Sequence, residues 1–186
     1  MSQQVLHLDF IKLTPEAGPE QRTQLEAVAA QLAAIEGVIT IGVIEAEAAS
    51  DFDVAFWFLL RDFVSLEPFG TDPHYSQFLQ GTVARMLSAF AGADVKLEDD
   101  FEGSEGTAAC LALMGPDEAY DFEVREALEA WSSEAGASTT TIGLAVGERQ
   151  QFRGIAIAFG TSAETPKPDI EPFRATLVRG HARVLA

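Results

Sequence analysis

The chain has 186 residues, 47% of them hydrophobic, enough to bury a substantial core in one domain or in two small fused ones. Twelve basic residues against 29 acidic ones give a formal charge of −17, which would repel a nucleic-acid backbone or an anionic membrane surface. A single cysteine, Cys110, rules out a disulfide framework within the chain, and its apolar setting, AACLALM, suits a packed thiol better than a nucleophile or a metal ligand.

In chain order, VLHLDFIKL (5–13) has the length of a strand and ends at Thr14-Pro15. Leu25, Val28, Leu32 and Ile35 then recur at helical spacing until Gly37. VITIGVI and FDVAFWFLL, rich in β-branched and aromatic residues, predict the second and third strands. The spacing predicts a second helix from Asp72-Pro73, with Tyr75, Phe78, Leu79, Thr82, Met86 and Phe90 on one face. DVKLED follows as a short fourth strand, which completes β-α-β-β-α-β, the ferredoxin-like order.

The second half repeats this plan. AACLALMGPD stands against HLDFIKLTPE, and both Pro116 after Pro15 and Thr141 of TIGL after Thr40 of TIGV lie 101 residues on. Tyr120, Val124, Leu128 and Trp131 mark a helix, and Phe152 echoes Phe52. In DIEPFRATLVRGHARVLA, the residues Ile170, Phe173, Leu177, His181 and Val184 fall on one helical stripe, which leaves nothing for a fourth strand. The join falls in DDFEGSEGT, giving units at 1–101 and 107–186. Because VAFWFLL is apolar at every position, its strand needs cover on both faces. The fold expected is α+β: two tandem ferredoxin-like units, the second lacking its last strand, packed face to face as a pseudo-dimeric α/β barrel. The strand edge left bare by the missing strand predicts a homodimer or a strand contributed from elsewhere in the chain.

FGTDPHYSQF, together with His7 in HLDFIKL and the EGV before the second strand, gives the first half a resemblance to the stress-responsive dimeric α/β barrel family. Its members are usually single units that pair into a barrel, so the present chain resembles a fused version. Some members have no known activity, and one is a plant polyketide cyclase. The resemblance aligns Phe69 with that cyclase's tyrosine, Asp72 and Pro73 with the start of its His-Pro-x-His element, and Tyr75 with its catalytic histidine. Val54 stands where it has a third-strand histidine, and His7 matches a first-strand histidine common in the family.

Side chains on a strand alternate, so His7, Asp9 and Ile11 share one face while Leu6, Leu8 and Phe10 take the other. The second set is the more uniformly apolar and is assigned to the helices. His7 and Asp9 are then expected inside the barrel, in a ligand cavity lined by Ile11, Val54, Phe56, Phe58, Phe69 and His74. A histidine oriented by a carboxylate can serve as a general base, and Tyr75 can donate to a carbonyl or enolate, so His7, Asp9 and Tyr75 are the candidate catalytic residues. His181 has no evident partner. No metal-ligand spacing, cysteine pair or phosphate-binding glycine pattern is present, and no cofactor is expected. The longest strongly apolar run, 54–60, is far short of the roughly 20 residues of a membrane-spanning helix, and the N-terminus lacks the form of an export signal; a cytoplasmic protein is expected. The function expected is binding of a small, largely apolar molecule in the barrel of the first unit, with possible acid–base chemistry. The competing expectation is a non-catalytic stress or scaffold protein whose barrel its own Phe and Trp side chains fill.

Overall fold

A computed structural model of the protein describes residues 3–47, 50–101, 103–115, 121–146, 151–161 and 165–186. Pro116 and Tyr120, used above, lie outside them. The elements run β1 (Val5–Leu13), α1 (Pro19–Gln31), β2 (Val38–Ala46), β3 (Val54–Leu60), α2 (Leu66–Thr71), α3 (Pro73–Gln77) and β4 (Leu87–Leu97). They continue as β5 (Gly106–Met114), α4 (Asp121–Glu134), β6 (Thr139–Ala145), β7 (Gly154–Phe159) and β8 (Arg174–Val184).

The eight strands close a single antiparallel barrel in the order β1-β3-β2-β8-β5-β7-β6-β4. The relative order β4-β1-β3-β2 recurs as β8-β5-β7-β6. Two seams join the halves. At one, β2 pairs with β8 from Gly42↔Val184 to Ala46↔Gly180; at the other, β4 pairs with β6 over Val95–Leu97. Asp51 reinforces the first seam, its carboxylate accepting from the Leu177 amide and from Lys167 Nζ, both at 2.8 Å.

All seven residues of β3 are buried because its two faces meet different partners. Inside the barrel, Leu6, Leu8, Phe10 and Trp57 of the first half pack with Ala108, Cys110, Ala112, Phe152 and Phe159 of the second. Small residues of β5 make room for large side chains from both halves, so the lumen is filled by its own side chains. Aromatic pairs bridge the halves, Phe10 with Phe152 at 5.4 Å and Trp57 with Phe159 at 6.1 Å between ring centroids. Gly42 makes room for this packing: a Cβ there would lie 1.9 Å from the Trp57 indole. Outside, Phe56, Phe58 and Leu60 pack beneath the helices with Leu25, Phe69 and Phe78, while α4 covers β5 and β7 through Val124, Leu128 and Trp131.

Several expectations are corrected here. The second half does not lack its last strand: residues 174–184 form β8, which pairs on both sides with β5 and β2. Leu177 faces α4 while Val178 and Ala182 face the barrel, a period of two that the helical stripe through Leu177, His181 and Val184 concealed. What the second half lacks, among its described residues, is a helix between β7 and β8. The bare edge that argued for a homodimer therefore disappears. In the first half the helical segment ends with a turn at Val83–Arg85, so Phe90 belongs to β4, and β4 begins seven residues before DVKLED. The TIGV/TIGL echo is also out of register. Gly42 opposes Trp57, five residues beyond Phe52, whereas Gly143 opposes Ile155, three beyond Phe152. Phe52 and Phe152 are the sounder echo, since both rings lie against Phe10.

Candidate functional site

The two faces of β1 are the reverse of those expected. Leu6, Leu8 and Phe10 point into the barrel, and Asp9 and His7 point outward, under the helices of the first half. Ile11, Val54, Phe56, Phe58 and Phe69 line the same sheet–helix layer, not the lumen. The physical reason is that closing the barrel sets the inner face of β1 against the apolar side chains of the second half, which the uniformly apolar set Leu6, Leu8 and Phe10 matches. His74 stands apart from this group, its side chain 74% exposed.

Antiparallel pairing sets His7 beside Phe58 on one flank and Asp94 on the other, and Asp9 beside Phe56 and Gly92. The fourth partner comes from α3. Asp72 caps that helix by accepting from the His74 amide at 2.7 Å, with Pro73 in its first turn, and the resulting start turns Tyr75 down onto the sheet. His7 Nδ1 lies 2.6 Å from Asp94 Oδ1, and Nε2 lies 2.6 Å from the Tyr75 hydroxyl and 3.2 Å from Asp9 Oδ1. The Tyr75 hydroxyl donates to both Asp9 oxygens, at 3.1 and 3.0 Å. Aromatic rings wall the group: Phe69 lies 5.3 Å and Phe58 5.7 Å from the imidazole centroid, and Phe69 4.5 Å from Tyr75. Asp9 is fully buried and Tyr75 nearly so; His7 and Asp94, with 12% and 18% of their side chains exposed, form the rim.

Burial by itself would drive the His7 proton off, but the Asp9 charge and hydrogen bond, with those of Asp94, outweigh it and push the pKa up to about 10. Burial and then the neighbouring Asp9 and Asp94 charges push the Tyr75 hydroxyl up as well. At neutral pH the group is therefore an imidazolium held between two carboxylates, bridged by a neutral phenol. His7 in this state donates hydrogen bonds and takes up no proton, so general-base chemistry is not what the resting geometry favours.

The second half presents an internal comparison. The outward residue of β5 that pairs with β7 and β8 as His7 pairs with β3 and β4 is Ala109, flanked by Ala158 and Arg179; the next outward residue is Leu111. Ala108 and Cys110, taken from the sequence as the counterparts of His7 and Asp9, face the barrel interior instead. Burial pushes the Cys110 thiol up, away from nucleophilic character. His181 lies exposed on β8, opposite Glu45 and Thr107. Asp94 was missed because the fourth strand was begun at that residue. The alternation Ala91, Ala93, Val95, Leu97 would have placed it on the outward face, and register then sets it beside His7. Among the described residues no group of three His, Cys, Asp or Glu is arranged to hold a metal ion, and no helix is long and apolar enough to cross a membrane.

No family model matches the chain, and no curated protein matches it. Among solved structures it is similar to an anthrone oxidase-like protein, with TM-score 0.66 and 11% identity over 100% of this chain and 94% of the other. It is similar to a candidate monooxygenase of Fusobacterium nucleatum, with TM-score 0.61 and 11% identity over 98% and 94%. A dabb family protein with a ferredoxin-like fold from Mesorhizobium loti matches 50% of this chain and 95% of its own, with TM-score 0.45 and 16% identity. At these identities the likeness shows the class of fold alone, an α+β barrel with the strand order of two ferredoxin-like sheets.

Proposed function

We propose that the chain is two ferredoxin-like units, 1–101 and 107–186, fused into one barrel, and that the first is a small-molecule-binding unit. Its ligand is a largely apolar molecule carrying one hydrogen-bonding oxygen. It docks in the sheet–helix layer over His7, Asp9, Tyr75 and Asp94, against Phe58 and Phe69, and not in the lumen. The observation that carries this reading is the contrast between the halves. Burying an imidazolium and a carboxylate costs more than filling the same space with apolar groups, and the second half does fill it, with Ala109 and Leu111. At the His7 and Asp9 positions the second half is thus apolar, with Arg179 beside Ala109 where the first half has Asp94, and the polar pair of the first half is explained by recognition. The role of the cluster is to orient a polar atom, which would take over one of the hydrogen bonds that His7 and Tyr75 donate within the cluster; any proton transfer would begin from the protonated imidazole.

The second reading, a non-catalytic scaffold or stress protein, is favoured by the lumen, which Phe10, Trp57, Phe101, Phe152 and Phe159 occupy. A homodimer keeps only its family argument, since here one chain supplies both halves of a barrel. The test is a thermal-shift comparison of the wild type and His7→Phe against alkylphenols and β-diketones. Stabilisation of the wild type by at least one compound class, absent in a folded His7→Phe, supports recognition. Wild type and variant responding alike, with only the variant's melting temperature lowered, supports the scaffold.

A further inference from the structure

A second site lies on the other side of α3. Consecutive residues of that helix face opposite ways: Tyr75 reaches down to His7, while His74 and Gln77 open onto a cleft of about 320 Å³ between α3 and α1. Its apolar surface is given by Val28, Leu32 and Gly81, and its polar groups by the amides of Gln24, Gln31 and Gln77 and the hydroxyl of Thr82. Gly81 and Thr82 belong to a π-helical turn, Phe78–Thr82, a widening of the helix that recurs at functional sites. Gly81 is not held to glycine by its backbone, and a Cβ there would meet only Gln77, at 3.4 Å. Its missing side chain therefore leaves open space.

The charge in the cleft runs against that of the chain. In a protein with 29 acidic residues and 12 basic ones, no Asp or Glu lines it. Arg85 does, and among the described residues its guanidinium, like those of Arg61 and Arg174, has no carboxylate partner, whereas Arg22, Arg125, Arg153 and Arg183 each have one. His74, which lines the cleft, has its Nδ1 2.9 Å from Asp72 Oδ1. The cleft between α4 and β6 shows the opposite character, lined by Glu98, Asp99 and Glu129.

We propose that the α1–α3 cleft is a binding site for a small organic carboxylate with an apolar body, its carboxylate on Arg85 and its body against Val28, Leu32 and Gly81. A guanidinium matches a carboxylate through two parallel N–H donors, and the surrounding amides can meet the remaining lone pairs. The site is independent of the His7 cluster, so neither proposal rests on the other.

Amide-resolved NMR titration of the full chain with benzoate, and with neutral benzamide as control, tests it. Benzoate is expected to shift the amides of 24–32 and 74–85 saturably, with benzamide binding about tenfold more weakly or worse, the loss expected for one charge-assisted pair. Arg85→Gln, a change at an exposed side chain, should weaken benzoate by a similar factor. Gly81→Leu should exclude it, while the spectrum outside the cleft stays that of the folded protein. Absence of shifts at millimolar benzoate overturns the proposal. So do shifts that spread equally to Arg61 and Lys96, or affinity unchanged in Arg85→Gln.

Discussion

Raising the pH should destabilise this protein through one residue, His7. Its pKa in the folded chain is about 10 against 6.5 for an unperturbed histidine. Because the folded value is the higher, folding favours the protonated form. The stabilisation is complete below pH 6.5 and declines as the pH rises through about 10. In that window the folded state holds up to one more proton than the unfolded state, so stability falls by up to about 1.4 kcal/mol per pH unit, or about 2.5 kcal/mol between pH 7 and pH 9. The reference is the double variant His7→Gln/Asp9→Asn. Changing His7 alone would leave the buried Asp9 carboxylate without its cation, a second perturbation in the same variant. Urea denaturation of both proteins at pH 7, 8 and 9 separates this contribution from every other titrating group, since the rest of the chain is common to both. The wild type should lose about 2.5 kcal/mol more than the double variant across that range. Parallel pH profiles would show that His7 is not an imidazolium in the folded protein, and the donor role assigned to it would fall.

Four further outcomes follow from the packing. Gly180→Ala would set a Cβ 1.8 Å from the Glu45 carbonyl oxygen, forcing the β2–β8 seam apart, and a loss of about 3 kcal/mol in chemical denaturation is expected; an unchanged midpoint would contradict the register of that seam. Trp57→Ala should cost about 3 to 5 kcal/mol as a cavity opens in the lumen, and should cost far more than Trp57→Phe, because the indole N–H has no hydrogen-bond partner among the described residues to lose. Cys110, buried and with its thiol pushed up, should resist a thiol-specific reagent until the protein is unfolded; rapid labelling of the native protein would place it at the surface. Hydrogen exchange should find the β8 amides from Thr176 to Ala182 protected, as an interior barrel strand requires, whereas a frayed terminal helix would exchange within seconds to minutes.

The sequence by itself determined the ferredoxin-like order of the first half, the helix beginning at Asp72-Pro73, the need to cover β3 on both faces, and the α+β barrel that satisfies it. These are local signals: a cap, a proline, a run of apolar residues, each acting within a few neighbours. It also named His7, Asp9 and Tyr75: alternation on β1 set Asp9 beside His7, and the family resemblance pointed to His7 and to Tyr75, 68 residues further on. Which side of the sheet they occupy was decided only by the tertiary structure. Alternation on β1 separates His7 and Asp9 from Leu6, Leu8 and Phe10 but carries no sign. The sign comes from barrel closure, which puts Leu6, Leu8 and Phe10 against the second half and leaves the polar face to the helices. The segment after Phe173 was ambiguous for a related reason: Leu177, His181 and Val184 fit a helix as well as a strand, and the hydrogen bonds that β5 and β2 offer from either side settle it as β8. Asp94 joined the site on the same terms, brought to His7 by cross-strand register between residues 87 positions apart, a distance over which no local pattern acts.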